Sequence, residues 1–254
     1  MQLMEQAEEL LQQAAEIQAQ NEKLTALNTI KDKFLSIIAH DVRSPLGVVG
    51  NFLELWETGA FSLEETKSLL GQLKTSTFNT IVMLDTMLIW AKSQMKGMVT
   101  KPITIVVAEV VENKLRLVNE LAKAKNITCI SIIRPDTKVY ADANQLDVIF
   151  HNLFTNAIKF TPIDGFISID DVTKGQFIEI RISDTGVGMS EQRLAQLFHA
   201  DSHFSTSGTA NEKGTGLGLL VCKEFIEENG GTLQVTSKLG QGSTFAFTLP
   251  AAVT

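Results

Sequence analysis

Positive charge is scarce in this 254-residue chain: 22 lysines and arginines face 29 aspartates and glutamates, for a net charge of −7. That deficit excludes nucleic acid as the main partner, because a phosphate backbone is held by a basic surface. It leaves room for a small, local basic pocket. Cysteine is scarce too. Cys129 sits in a strand-like apolar run and Cys222 in a helix-like one, so two buried thiols are expected rather than a disulfide or a metal pair, in a reduced cytosolic setting. No apolar run reaches the roughly 18 residues that a spanning helix needs, and no secretory leader pattern is found. Any membrane-attached or ligand-sensing part is therefore expected outside this chain. What is present is apolar material for a real core, 44% hydrophobic residues against 20% charged, on a length that suits one large domain or two.

The composition changes near residue 100. Up to Gly97 the chain reads as long helices with few breakers; beyond it, short strand-like runs alternate with helices and glycine clusters, with the boundary at Gly97–Pro102. The first segment opens on a seven-residue repeat, Leu3, Leu10, Ile17 and Leu24, with Ala7, Ala14, Asn21 and Asn28 four residues after each. Large residues at d and small or polar ones at a describe a parallel dimeric coiled coil, against the plainer alternative of one amphipathic helix on its own domain. After Leu27 the stripe shifts to Ile30, Phe34, Ile37 and Ile38, a change of phase that alters a supercoil locally. The helix is expected to run through Pro45 to Thr58, with Gly59 as its C-cap. Ser62 and Glu65 then make a capping box that opens a second helix with Leu69, Leu73, Ile81, Leu84 and Leu88. One hairpin buries little; two make a four-helix bundle, so dimerisation is expected on physical grounds.

The second segment reads as α+β. Strands are expected at 103–107, 127–133, 166–171, 177–183, 232–237 and 244–249, and helices at 111–125, 144–160 and 217–229.

Three stretches carry chemistry. In the first, His40 is followed by Asp41, Arg43, Ser44 and Pro45. On a helix Arg43 and Ser44 share the histidine's face, and Pro45 bends the backbone beside it. Neutral imidazole is a good nucleophile near pH 7, and Asp41 can orient it or take its proton. A lone histidine is more often structural; the acid, the proline and the helix seam together reverse that. In the second, Asn152, Asn156 and Lys159 share one helical face while Leu146, Ile149, Leu153 and Ala157 form the other. Two amides and an ammonium in one stripe suit a metal–triphosphate, although three polar residues alone would usually be a solvated face. The third is a pair of glycine clusters. Asp184-Thr185-Gly186-Val187-Gly188-Met189 follows a strand, where a buried carboxylate can accept from an adenine amino group. Gly214-Thr215-Gly216-Leu217-Gly218 opens a helix, where backbone amides bind phosphate. The latter departs from a dinucleotide fingerprint, because the polar stretch 199–213 rather than a strand precedes it.

Together and in this order, the runs resemble the H, N, G1 and G2 boxes of sensor histidine kinases, over roughly residues 30–250. The resemblance implies that His40 accepts the γ-phosphoryl group, that Asp41 assists, and that Ser44 holds the place of a residue used in dephosphorylating the partner. It implies Asn156 as a direct Mg²⁺ ligand, Asn152 as a supporting contact, Lys159 on phosphate, Phe160 against adenine and Asp184 as the adenine reader. Gly186, Gly188, Gly214, Thr215, Gly216, Leu217 and Gly218 complete the nucleotide site, 199–213 forms a lid in which Phe198 and Phe204 hold a loose phenylalanine-box place, and Gly240-Gln241-Gly242 is a hairpin turn. The expected architecture is a coiled-coil linker over 1–28, a helical hairpin dimerising to a four-helix bundle over 29–98, and an α/β-sandwich ATP-binding domain over 99–254. The cofactors implied are ATP and Mg²⁺. The partners implied are a second copy, the receiver domain of a separate response regulator and an upstream sensor domain; the portion in hand would face the cytoplasm. Two rivals stand beside this: an ATP-hydrolysing conformational machine of the gyrase or chaperone type, for which Gln145 or Asp147 would have to supply the base, and a scaffold with a dead pocket.

Overall fold

The computed structural model of the chain describes residues 100–198, 207–210, 212 and 218–252, together with scattered positions before residue 85. The chain divides into two compact units, Met1–Leu84 and Asp85–Thr254. The His40 motif, most of the heptad seam and Gly214–Leu217 lie outside the described residues.

In the first unit, residues 47–54, 64–66 and 69–71 are helical. The capping box forms as its spacing requires. Ser62 N–H and Oγ donate to Glu65 Oε2 at 2.9 and 2.7 Å, and Glu65 N–H donates back to Ser62 Oγ at 3.3 Å. Hydrogen bonds from the Ser62 backbone and hydroxyl hold the Glu65 carboxyl below its usual range.

The second unit is a two-layer α/β domain. Strand β1 (Pro102–Val106) leads into helix α1 (Val107–Ala124), which buries Val107, Val111, Lys114, Val118 and Ala122, a stripe at helical spacing. Asn126, at φ 52°, stops the helix: Asn126 N–H bonds Lys123 O at 3.0 Å and Ile127 N–H bonds Ala122 O at 2.9 Å, a Schellman turn. Strands β2 (Thr128–Ser131) and β3 (Lys138–Asp142) follow. Asp142 then caps α2 (Ala143–Phe160) by accepting from Asn144 and Gln145 N–H at 2.9 and 3.2 Å. Thr161, extended ahead of Pro162, ends it. The rest is β4 (Phe166–Lys174), β5 (Phe177–Asp184), the short α3 (Glu191–Ala195), α4 (Gly218–Glu228), β6 (Leu233–Lys238) and β7 (Gly242–Pro250).

The main sheet runs β2-β4-β5-β7-β6; β2 lies parallel to β4 and every other pair is antiparallel. A separate antiparallel pair joins β1 and β3. Alternation sends Ile167, Ile169, Ile178, Ile180, Ile182, Phe245, Phe247 and Leu249 to one face, all buried, against Leu146, Ile149, Phe150 and Leu153 of α2 and Val221, Phe225 and Ile226 of α4. Phe150 stacks on Phe154 and meets Phe247 edge-on, with centroids 5.6 and 5.7 Å away. The other face is polar, with Asp170 pairing with Arg181 and Ser183 with Thr244, as an antiparallel sheet covered on one side permits.

The strands and helices expected in the second segment are present with ends moved by a few residues. Two elements escaped the sequence reading: β3, whose Lys138 and Asp142 ends look like loop, and the five-residue α3. Cys222 is buried and its thiol is pushed up by desolvation, whereas Cys129 is only half-buried, because β2 is an edge strand. The expectation of two buried thiols therefore fails for Cys129.

Candidate functional site: one face of α2 and the loop after β5

Asp184 takes the next inward-facing place on β5 after Ile178, Ile180 and Ile182, so the pleat carries a carboxylate to the end of the core. It is 8% exposed. Its Oδ1 accepts from Gly186 N–H at 2.8 Å and from Ser243 N–H at 3.2 Å, while Oδ2 has no partner among the described residues. Burial pushes its carboxyl above the usual value, and the two backbone bonds only partly offset this. The site is thus an acceptor held in place by one oxygen and offered by the other.

The loop that follows is fixed from three sides. Val187 N–H donates to Phe160 O at 3.1 Å, Gly240 N–H to Val187 O at 2.8 Å and Met189 N–H to Ser237 Oγ at 2.8 Å. Gly188 (φ 62°) and Gly242 (φ 89°) are glycine for two reasons: the backbone is left-handed, and a Cβ would run into Lys238 O and Asp184 O respectively. The turn expected at Gly240–Gly242 is a turn, and it also supplies the Ser243 amide that clamps Asp184. That contact comes from the backbone, so no side-chain pattern announces it.

On α2, Asn152, Asn156, Lys159 and Phe160 are half-buried on one side, while Leu146, Ile149, Leu153 and Ala157 are buried on the other, as the periodicity predicts. Asn152 Nδ2 donates to Val148 O at 2.9 Å, which turns its Oδ1 toward Gly218; a Cβ there would strike it. Asn156 has no hydrogen-bond partner among the described residues, so its amide oxygen is available to a hard cation. Lys159 Nζ lies 4.8 Å above the Phe160 ring. Burial lowers the Lys159 pKa; nearby Glu212 raises it and Arg193 lowers it further. Arg193, placed by α3, was not anticipated.

The structure therefore gathers Asn152, Asn156, Lys159, Phe160, Asp184, Gly186, Gly188 and Gly218 around the C-terminal half of α2. His40, Asp41, Ser44, Gly214, Thr215, Gly216 and Leu217 are among the residues it does not describe. At the other end of α2 the two possible bases are already engaged. Gln145 accepts from Asn229 Nδ2 at 2.6 Å and donates to Glu228 at 2.5 Å, and Asp147 pairs with Lys114 at 2.6 Å.

A buried carboxylate with one oxygen free at a strand end, and a polar helical stripe beside it, suit a nucleotide, and comparison with known proteins gives the class of the domain. Residues 141–253 match the family described as histidine kinase-, DNA gyrase B-, and HSP90-like ATPase. The sensor protein GacS of Pseudomonas syringae pv. syringae is 31% identical over 238 residues, 91% of this chain and 26% of GacS. The non-motile and phage-resistance protein of Caulobacter vibrioides is 27% identical over 96% of this chain and 30% of its own length. The chain thus spans about a quarter to a third of the length of these two relatives. Among solved structures, the catalytic domain of histidine kinase ThkA superposes with a TM-score of 0.52 at 26% identity, covering 59% of this chain and 95% of that one. ThkA in complex with response regulator protein TrrA superposes at 0.62 and 22% identity, over 85% of this chain and 60% of that one. The ATP-binding domain of this chain is of the sensor histidine kinase kind. Among the described residues, no helix is long and apolar enough to cross a membrane.

Proposed function

We propose that the chain is the catalytic core of a dimeric, cytoplasm-facing histidine kinase, which phosphorylates its own His40 from Mg·ATP and passes the phosphoryl group to an aspartate on a response regulator. The observation that carries the reading is the tie between the loop after Asp184 and α2: Val187 N–H bonds Phe160 O, at the end of the helix whose half-buried side holds Asn156 and Lys159. An acceptor suited to adenine thus stands near the C-terminal end of α2, next to a helical face suited to metal and phosphate. ATP would lie with its adenine on Asp184 beside Phe160, and its phosphates toward Lys159 and the glycine cluster 214–218. Mg²⁺ fits the unpartnered amide of Asn156, with Asn152 in support, and would neutralise phosphate charge there. Positioning and charge supply most of the catalysis in phosphoryl transfer. His40 would be the nucleophile and Asp41 its orienting acid, with Ser44 placed to assist any dephosphorylation of the partner.

The domain assignment stays with this reading: a coiled-coil linker over 1–28, a dimerisation and phosphotransfer hairpin over 29–98 and the ATP-binding domain over 99–254, with a sensor part upstream. Dimerisation is supported by the exposed apolar residues of the first unit. Ile17 on the heptad seam is 59% exposed and Trp56 is 56% exposed in the single chain, more apolar surface than a lone hairpin covers. The response regulator as partner is supported by the ThkA–TrrA likeness. The gyrase-like rival loses ground because Gln145 has its amide hydrogen-bonded at both atoms and Asp147 is paired with Lys114.

The test is incubation with γ-labelled ATP and Mg²⁺ of the chain and of its His40→Gln and Asn156→Ala variants. Acid-labile, base-stable label on the parent and none on either variant is the expected result. Label surviving in His40→Gln would move the acceptor, and free phosphate without protein label would favour the ATPase.

A further inference from the structure

Lys125 is a lysine in a buried place. It is 7% exposed, on the Schellman turn that ends α1, and that turn sends its side chain inward to the C-terminus of α2. Its Nζ lies within hydrogen-bond distance of Ile158 O at 2.8 Å, Lys159 O at 3.1 Å, Thr209 Oγ1 at 2.6 Å and Glu212 Oε1 at 2.8 Å, four acceptors that share its three N–H donors. The carbonyls belong to the last turn of the helix that carries Lys159. The hydroxyl and carboxylate belong to the segment that leads to the second glycine cluster.

That segment is seated on the same helix end. Thr209 N–H donates to Lys159 O at 3.0 Å, and Thr209 Oγ1 reaches Thr161 O at 2.8 Å. Gly208 packs between the two side chains at issue, since a Cβ there would overlap both Glu212 Oε2 and Lys159 Cγ. Glu212 therefore stands beside the lysine assigned to phosphate. A carboxylate in that place competes with phosphate for the same ammonium, and in a partly buried setting the competition is strong. Both Glu212 oxygens are engaged elsewhere: Oε1 by Lys125, Oε2 by Ala210 N–H at 2.8 Å.

From this geometry we infer that Lys125 is a positioning residue for nucleotide binding, one that occupies the Glu212 carboxylate and so leaves the Lys159 charge to the phosphates. The inference rests on the nucleotide reading of the α2 face. Lys125 touches no nucleotide in this scheme; it acts through Glu212 and the carbonyl of Lys159. The burial of Glu212 favours its neutral form, but the bonds from Lys125 and the backbone outweigh that and leave its carboxyl below the usual value, so it is an anion that must be matched.

Calorimetric titration of the full chain with a non-hydrolysable ATP analogue and, separately, with adenosine tests this. Parent protein binding neither would defeat the nucleotide reading itself. Given binding by the parent, Lys125→Met should weaken the ATP analogue about tenfold while adenosine affinity stays within about twofold. Adding Glu212→Gln to Lys125→Met should recover most of the loss, because the competing anion is gone. Equal weakening of both ligands, or no recovery in the double variant, would reduce Lys125 to a structural residue and overturn the inference. Should Lys125→Met fail to fold, Glu212→Gln alone decides. ATP-analogue affinity should rise a few-fold with adenosine unchanged, and an unchanged or weaker ATP affinity sinks the proposal.

Discussion

The two ends of the candidate site are built by different means. At the end proposed for adenine, a buried carboxylate is clamped by two backbone amides, and the loop behind it is set by two left-handed glycines and by hydrogen bonds from β5, α2 and the β6–β7 hairpin. Little there can move without breaking a strand pairing. At the end proposed for phosphate, the groups are half-buried side chains on one helix, and their strength depends on which charges stand near Lys159, namely Glu212, Arg193 and, behind Glu212, Lys125. A rigid, neutral ring is best recognised by fixed geometry. A charged, conformationally free triphosphate is best held by charge, which can be tuned by neighbours without rebuilding the fold.

The largest effect should come from Asp184→Asn. The amide keeps an oxygen for Gly186 and Ser243 but presents N–H to the adenine amino group, where the carboxylate presented an acceptor. Affinity for ATP and for adenosine should both fall by about a hundredfold or more. Stability should go the other way. A carboxyl whose pKa is raised by folding contributes stability below its unfolded pKa and loses it as pH rises through the folded value, so ionised Asp184 is a cost at neutral pH. The variant should melt at the same temperature as the parent or higher. A lower melting temperature together with retained adenosine affinity would assign Asp184 to structure.

Next in size is Lys159→Met, which should weaken ATP about tenfold and leave adenosine unaffected. The pH responses of the two ends should also oppose each other. Acidification through the raised pKa of Asp184 removes the adenine acceptor, and weakens both ligands from above the ordinary carboxylate range downward. Alkalinisation through the lowered pKa of Lys159 removes the phosphate cation, and weakens ATP alone, below the ordinary lysine range. Parallel pH profiles for ATP and adenosine at the alkaline end would erase the distinction between the two ends.

How much of this was legible beforehand follows the same division. The α2 face was readable because a helix at i, i+4 and i+7 displays its chemistry in the sequence. The Ser62–Glu65 box was readable because its partners are three residues from each other. Asp184 was readable because it opens a glycine cluster directly after a strand, at the place the G1-box resemblance requires. The Ser243 clamp was not, since a backbone amide has no letter of its own. Lys125 was not either. Its side-chain partners lie 84 and 87 residues further on, and a lysine at a helix end usually means a solvated charge. Strand β3 was hidden by charged ends and by Tyr140, which faces out. Long-range polar contacts thus carry the part of the site that spacing could not supply.

The smallest effect tests the adenine end at its support. Ser237 Oγ accepts from Met189 N–H at 2.8 Å and sits 3.0 Å from Gly242 O and 2.9 Å from Ser243 Oγ, so it links the loop after β5 to the turn that clamps Asp184. Ser237→Ala removes no contact with a nucleotide. It should cost about 1 kcal/mol of stability, the usual net value of a partly buried hydrogen bond. If the adenine end works through fixed geometry, ATP and adenosine should weaken together by about two- to fivefold, their ratio unchanged, because loosening the Met189–Gly242 link lets Asp184 drift from its place. If adenosine affinity holds while the melting temperature falls, the left-handed glycines at 188 and 242 set the loop without the serine, and rigidity there lies in the backbone rather than in its side-chain bridges.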